Sequence, residues 1–423
     1  MRNKLFRALL SFVCLSGTLL SAADDLSLLQ KVTILPEEVV TEQWPAMLDT
    51  ISAPYGLEKV YPGQCIRFAV WAPRADLRDA LSKTTLSIEL RVGDGTKSFP
   101  AESPAAFKRV SGGVELIQAV RLRNREFKDP PGDKQVSISA KGWCAPNDAR
   151  DEAAWVEATA TTPDGKTMRT GKQKFQVVSF ETAQRRPRFK DMNEVTGWIQ
   201  HYHATPEPAL LLPALRLVAA DSQVRSMNNV MTFFAAALRA SPAAAADLER
   251  HLPSEDHFTK MIGAAVLQWA AYSPVLNFVS DDERNQIAAH HLPDPYDRTI
   301  DIEIGSRQDQ LWGVFFATGK PEPVRAIAKQ LAWAGDYTRA REYSEELKTG
   351  KVKRPDDQHY PDFVVRGATY AAAGWSMSSL AHDDFLLCDY IDAMKVSPEM
   401  TEQVRNELTN LLKNPAFRSP NGK

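Results

Sequence analysis

Cysteine is scarce in this chain: there are four in 423 residues. A small scaffold held by disulfides is thereby excluded, and a chain this long can bury a sizeable core without staples. Long apolar runs are missing too. After residue 23 no stretch approaches 18 uninterrupted apolar residues, so no integral membrane segment is expected in the mature chain. Neither sign of charge dominates: 51 basic and 53 acidic residues leave a net charge of −2. At 43% hydrophobic and 25% charged residues the composition excludes a wholly disordered or collagen-like chain.

The familiar signatures of chemistry are absent as well. The eight histidines form no H-E-x-x-H and no i, i+4 pair, the spacing that sets two ligands on one helix face. There is no G-x-S-x-G elbow, no P-loop and no G-x-G-x-x-G; Gly93-Asp94-Gly95 reads as a hairpin turn. No metal and no cofactor is expected from these patterns, and they leave any catalytic residue unknown.

What is present begins with an address. Arg2, Lys4 and Arg7 precede an apolar run from Leu9 to Leu20, and Ser21 and Ala23 place small residues before Asp24. This predicts a secretory signal, residues 1–23, and a periplasmic or extracellular location. Cys14 lies inside the apolar run behind Val13, which argues against a lipid-modified cysteine. In an oxidising compartment Cys65 and Cys144 are available to pair, and a Cys65–Cys144 disulfide is the expectation. Cys388, among Phe385, Leu386 and Leu387, reads as a buried small hydrophobe.

The chain then divides by period. Up to about Phe180 apolar residues alternate: Ile66, Phe68, Val70; Leu86, Ile88, Leu90; Val114, Leu116, Val120, Leu122; Val136, Ile138, Ala140. Period two places each set on one face of a strand. Tyr61-Pro62-Gly63 and Thr162-Pro163-Asp164-Gly165 are turn signals, the latter between Trp155–Thr161 and Lys174–Phe180. Short strands at this spacing predict an antiparallel β-sandwich over residues 24–184. With its Pro62-Gly63 turn and final Pro163-Asp164-Gly165 hairpin, this part resembles the immunoglobulin-like domains of bacterial exported proteins. That resemblance implies separated strands for Cys65 and Cys144 and a bridge between the two sheets.

Gln184-Arg185-Arg186-Pro187-Arg188 is polar, basic and broken by proline, and residues 185–190 read as a linker. Residues 191–423 change to a helical period. Val324, Ile327, Leu331; Leu387, Tyr390, Ile391, Met394; and Val404, Leu408, Leu411, Leu412 are core stripes of amphipathic helices. Thr205-Pro206, Ser241-Pro242 and Ser397-Pro398 each read as a capping hydroxyl before a first-turn proline, and Ser280 with Glu283 as a capping box. About ten helices in antiparallel hairpins are expected, with one hairpin turning at Gly319 before Pro321. Gln308-Asp309-Gln310-Leu311-Trp312, then Phe315-Phe316-Ala317-Thr318-Gly319, then Trp375-Ser376-Met377-Ser378 resemble a helical C-terminal module of uncharacterised bacterial exported proteins. The resemblance implies a helical fold and supplies no reaction.

The remaining candidates have ordinary readings. His201/His203 and His290/His291 read as surface or capping histidines, and Asp383 or Asp384 as helix N-terminal acids. Asp294, Asp297, Asp301 and Glu303 form an acidic loop without EF-hand spacing. Residues 191–423 hold 23 basic and 31 acidic side chains, a net of −8, which disfavours nucleic acid as a partner. Trp312, Phe315, Phe316, Trp333 and Trp375 read first as core. A groove lined by some of them would take a protein or peptide. The reading is therefore an exported binding or scaffold protein presenting a helical groove. The alternative is a secreted, glycan-directed hydrolase with two carboxylates in the helical part.

Overall fold

A computed structural model describes residues 31–36, 57–72, 84–100, 108–110, 134–138, 142–185, 188–224, 228–272, 277–289, 304–353, 360–381, 384–411 and 413. The expected signal segment, the alternation at 114–122, Ala140, His290, His291, the acidic loop, His382, Asp383 and Leu412 lie outside the described residues. The chain has an N-terminal β region followed by an all-helical region, as the change of period predicts.

The strands are β1 (Lys31–Pro36), β2 (Lys59–Val60), β3 (Cys65–Ala72), β4 (Thr85–Val92), β5 (Gly95–Pro100) and β6 (Lys108–Val110). Then come β7 (Lys134–Ile138), β8 (Trp143–Cys144), β9 (Glu152–Thr161), β10 (Thr167–Arg169) and β11 (Gln173–Val177). One sheet has the order β1-β3-β7-β6 with β8 also on β3; the other runs β2-β11-β9-β4-β5 with β10 on β9. Pairing is antiparallel except where β2 meets β11 in parallel, so the expectation of purely antiparallel sheets is corrected. The alternation in β4 does what period two dictates. Leu86, Ile88 and Leu90 are buried and the residues between them exposed. Those three meet Ile34, Phe68, Val70, Val156 and Phe175, so the two sheets share one apolar core. Each such side chain contributes about 1.5–3 kcal/mol over its exposed state.

The turns follow their residue types. Val92 opposes Gly95 across the Gly93-Asp94 turn. At Pro163-Asp164-Gly165 the chain returns first as β10 and only then as β11, one strand more than expected. Gly63 has φ +74°, and a Cβ there would lie 2.8 Å from the Cβ of Ala243 in the helical region. Glycine is required twice over, by the left-handed backbone and by the close approach.

Cys65 and Cys144 are bridged. They sit directly opposite each other in the β3/β8 pair, so the bridge is a rung within one sheet and not a staple between two. It closes a loop of 79 residues of sequence separation. Replacing both by serine is expected to cost about 2–4 kcal/mol, chiefly by freeing the unfolded chain. Urea denaturation of the oxidised protein and the double-serine variant checks this; coincident midpoints would refute it.

The helices are α1 (Phe180–Gln184), α2 (Met192–His201), α3 (Leu211–Ala220), α4 (Asn228–Ala240), α5 (Pro242–His251), α6 (His257–Trp269) and α7 (Asp281–Ala289). They continue as α8 (Ile304–Thr318), α9 (Pro321–Lys329), α10 (Ala334–Lys348), α11 (Asp362–Leu380), α12 (Phe385–Val396) and α13 (Glu402–Thr409). α1 starts inside the expected sandwich, capped by Ser179. Its last residue, Gln184, donates to the Ala209 carbonyl at 3.0 Å and to Asp247 Oδ2 at 2.9 Å. The chain is thus anchored to the helical region where the linker was expected to begin.

Gly319 ends α8 with φ +62° and Pro321 opens α9, as predicted. Val324, Ile327 and Leu331 are fully buried. The Ser280–Glu283 capping box forms in both directions. Other predicted caps do not form. Pro242 is a first-turn proline, yet the Ser241 hydroxyl makes no capping bond. Pro208, not Pro206, opens the next helical turn, and Thr401, not Ser397, caps α13. Among the described residues the most extensive helix pair is α4 with α8, which are not neighbours in sequence. Gly313 permits it, since a Cβ there would collide with the Asn229 carbonyl oxygen.

Candidate functional site

Two regions of different secondary structure meet along one face. Phe68 and Val70 of β3 point into the sheet core. Ala69, between them, points the other way and joins the core of the helices. Small residues at the contact, Gly63, Ala69 and Ala243, let backbones come close. Beside this contact a cleft of about 700 Å³ opens between the two regions. Ligand sites favour such junctions and such volumes.

The cleft is built from the ends of elements. β2 supplies Lys59 and the turn after it Tyr61; the start of β9 supplies Glu152, preceded by Asp151. α1 supplies Thr182 and Ala183, and the segments around α2 supply Arg188 and Glu207. Asp151 accepts from the Ser179 N–H at 2.7 Å and the Thr182 hydroxyl at 2.5 Å. The hydroxyl of Thr182 and the Ser179 N–H hold its carboxyl below the usual carboxylate range. Glu207 is half-buried. It accepts from the Tyr61 hydroxyl at 3.3 Å and from the Trp198 indole N–H at 3.2 Å. Burial, then the charge and hydrogen bond of Glu207, push the Tyr61 phenol up, so it remains a protonated donor. Gln64 continues this seam, accepting from the Tyr61 N–H at 3.1 Å and donating to the Pro206 carbonyl at 3.4 Å.

Glu207 therefore ties a β-region tyrosine to a helical-region tryptophan. Glu207→Ala leaves two donors without their acceptor and is expected to cost about 1–3 kcal/mol. Glu207→Gln, which keeps an acceptor, should cost less. Chemical denaturation of both variants checks the order; equal stability of Glu207→Ala and the parent would refute the tie.

The helical core holds a polar pair that the sequence did not reveal. His203 is buried, not on the surface as expected, whereas His201 is exposed. Its Nε2 lies 3.2 Å from Oδ2 of Asp384, also buried, and its ring packs 4.8 Å from that of Phe315. Asp384 caps α12 as expected of an N-terminal acid, accepting from the Leu387 N–H at 3.0 Å. Burial raises its pKa, but the close approach of His203 outweighs that, and the carboxyl sits below its ordinary range. A cavity of about 20 Å³ adjoins His203 and is lined also by Gln64, Ser241 and Thr318. It has room for about one water molecule.

The aromatics read first as core are mostly packed there. Trp312, Phe315 and Phe316 are buried, Trp333 is half-buried, and of the five only Trp375, at 45% exposure, faces solvent. Trp312 Nε1 donates to Ser376 Oγ at 3.1 Å, which locks α8 onto α11. Cys388 is a buried core residue, as predicted. Among the described residues no group of three His, Cys, Asp or Glu is placed to hold a metal, and no helix is long and apolar enough to cross a membrane. No motif announces the cleft, because its charged residues lie far apart in the chain and in loops or strand ends. Compared with family models, curated proteins and solved structures, the chain matches none of them.

Proposed function

We propose that this is an exported binding protein whose ligand occupies the cleft between the β region and the helical region. The observation that carries this reading is the cleft: about 700 Å³, at a junction of two regions, lined by charged side chains from both. Most of the aromatics that could have lined a helical groove are used for packing, which supports the junction over the helices as the site. The disulfide supports export, because such bridges persist in oxidising compartments such as the periplasm or the extracellular space. An immunoglobulin-like arrangement of the β region is supported by β1 and β2 joining different sheets around one core. On this reading the β region and helices act as two rigid walls, and the partner is a peptide or small molecule held between them.

The test is a thermal-shift screen of small metabolites and short peptides on the parent protein and on Ala183→Trp, which fills the cleft. Ligands that raise the melting temperature of the parent and not of Ala183→Trp are expected. Ligands that stabilise both equally would place the site elsewhere and overturn the reading.

A further inference from the structure

Five charged side chains line the cleft: Lys59, Arg188, Asp151, Glu152 and Glu207. Charges of opposite sign brought together in one place normally pair. Here none of the five takes part in a salt bridge among the described residues. The hydrogen bonds of Asp151 and Glu207 come from neutral donors, Ser179 and Thr182 for the first and Tyr61 and Trp198 for the second, and the Arg185 guanidinium adds its charge near Asp151 without a salt bridge. Each carboxylate has about four acceptor positions, so two bonds leave capacity on both. Glu152 turns its carboxyl toward Gly93, at the β4–β5 turn, which is not part of the cleft lining. Lys59 and Arg188 are exposed and offer unshared donors, the arginine in a fork that suits a carboxylate.

We infer that the cleft takes a short peptide with both termini free, its carboxylate between Lys59 and Arg188 and its ammonium at Asp151 and Glu207. This rests on the cleft being the binding site. A ligand with only one sign of charge would satisfy half the lining and face the other half as a repulsion. A zwitterion satisfies both. The volume is that of a ligand larger than a single amino acid and well within the range of compact organic ligands, about 300–1,000 Å³. The hydrogen bonds that Asp151 and Glu207 already accept fix their carboxyl groups before the ligand arrives, which lowers the ordering cost of binding.

The experiment is calorimetric titration with tetraalanine, which carries charge only at its ends, and with its N-acetyl and C-amide forms, at low salt. The parent protein should bind tetraalanine, and blocking either end should weaken binding by about tenfold or more. Lys59→Ala with Arg188→Ala should weaken tetraalanine by a similar factor and leave its C-amide form unaffected. Both residues are exposed, and unchanged melting curves will confirm that the variant is folded. Equal binding of free and blocked peptides, or no binding of tetraalanine to the parent, would overturn the inference. Its failure is separable from that of the cleft itself. If tetraalanine fails while another ligand is lost in Ala183→Trp, the cleft stands and the peptide falls. If tetraalanine binds Ala183→Trp as it binds the parent, the cleft falls.

Discussion

Phe315→Ala is expected to destabilise the protein by about 3–5 kcal/mol, which is among the largest effects of any single truncation here. Phe315 is fully buried on α8 and its ring meets four others, those of His203, Trp312, Phe316 and Tyr390. Aromatic neighbours tilted or edge-on in this way add about 0.5–1.5 kcal/mol to the area that is buried. The neighbours are themselves fixed. Tyr390 donates to the Gly319 carbonyl at 2.6 Å and Trp312 to Ser376. They cannot collapse far into the space left, so a cavity remains and its cost is added to the lost transfer energy. Phe316→Ala should also be costly, and less so, because Phe316 retains a little exposure. Thermal denaturation of both variants, with circular dichroism at helical wavelengths, gives the measurement. A Phe315→Ala protein that melts with the parent would show the aromatic cluster to be surface furniture and would restore the groove as a binding site.

Asp384→Ala is expected to cost a similar amount, about 3–5 kcal/mol, through a different mechanism. Three losses coincide. His203 stays buried without its carboxylate, α12 loses the side chain that receives the Leu387 N–H, and a small void opens at the helix start. The capping part alone is about 0.5–2 kcal/mol. Asp384→Asn separates the parts, since an amide oxygen still caps and carries no charge. The same pair gives the protein a dependence on acid. The folded-state pKa of Asp384 is depressed, so its contribution is present above the pKa of an unfolded aspartate and is lost as pH falls through the folded value. Stability of the parent should therefore drop on acidification below about pH 4, and that of Asp384→Asn should drop less. Parallel slopes for the two proteins would show that the pair has no part in acid unfolding.

The sequence was most legible where local chemistry and tertiary packing ask for the same thing. The stripe Val324, Ile327, Leu331, the stop at Gly319 and the Ser280–Glu283 box all formed, because each is decided within one or two turns of helix. The alternation in β4 was equally local. Long-range geometry was not legible. The bridge between Cys65 and Cys144 was anticipated, but its place within one sheet depends on β8 returning beside β3, which no spacing encodes. Ser241 looked like a cap and is not one; it lines the small cavity beside His203 instead. His203 read as a surface residue because its partner lies 181 positions away in the chain. The cleft was invisible for the same reason: Lys59, Asp151, Arg188 and Glu207 have no common period or motif, and only the docking of two regions assembles them.

The contact at Gly63, Ala69 and Ala243 also sets an order of events. Ribosomes make the β region first, and the last of the described strands, ending at Val177, is complete before Ala243 has been added. Until α2 to α5 follow, Ala69 of β3, fully buried against the helices in the folded protein, has no cover. A stop codon or a stalled ribosome in the first helices would leave it uncovered. A chain truncated before α5 therefore lacks the Ala243 contact of Gly63, and the β region is made before the helices that complete its junction.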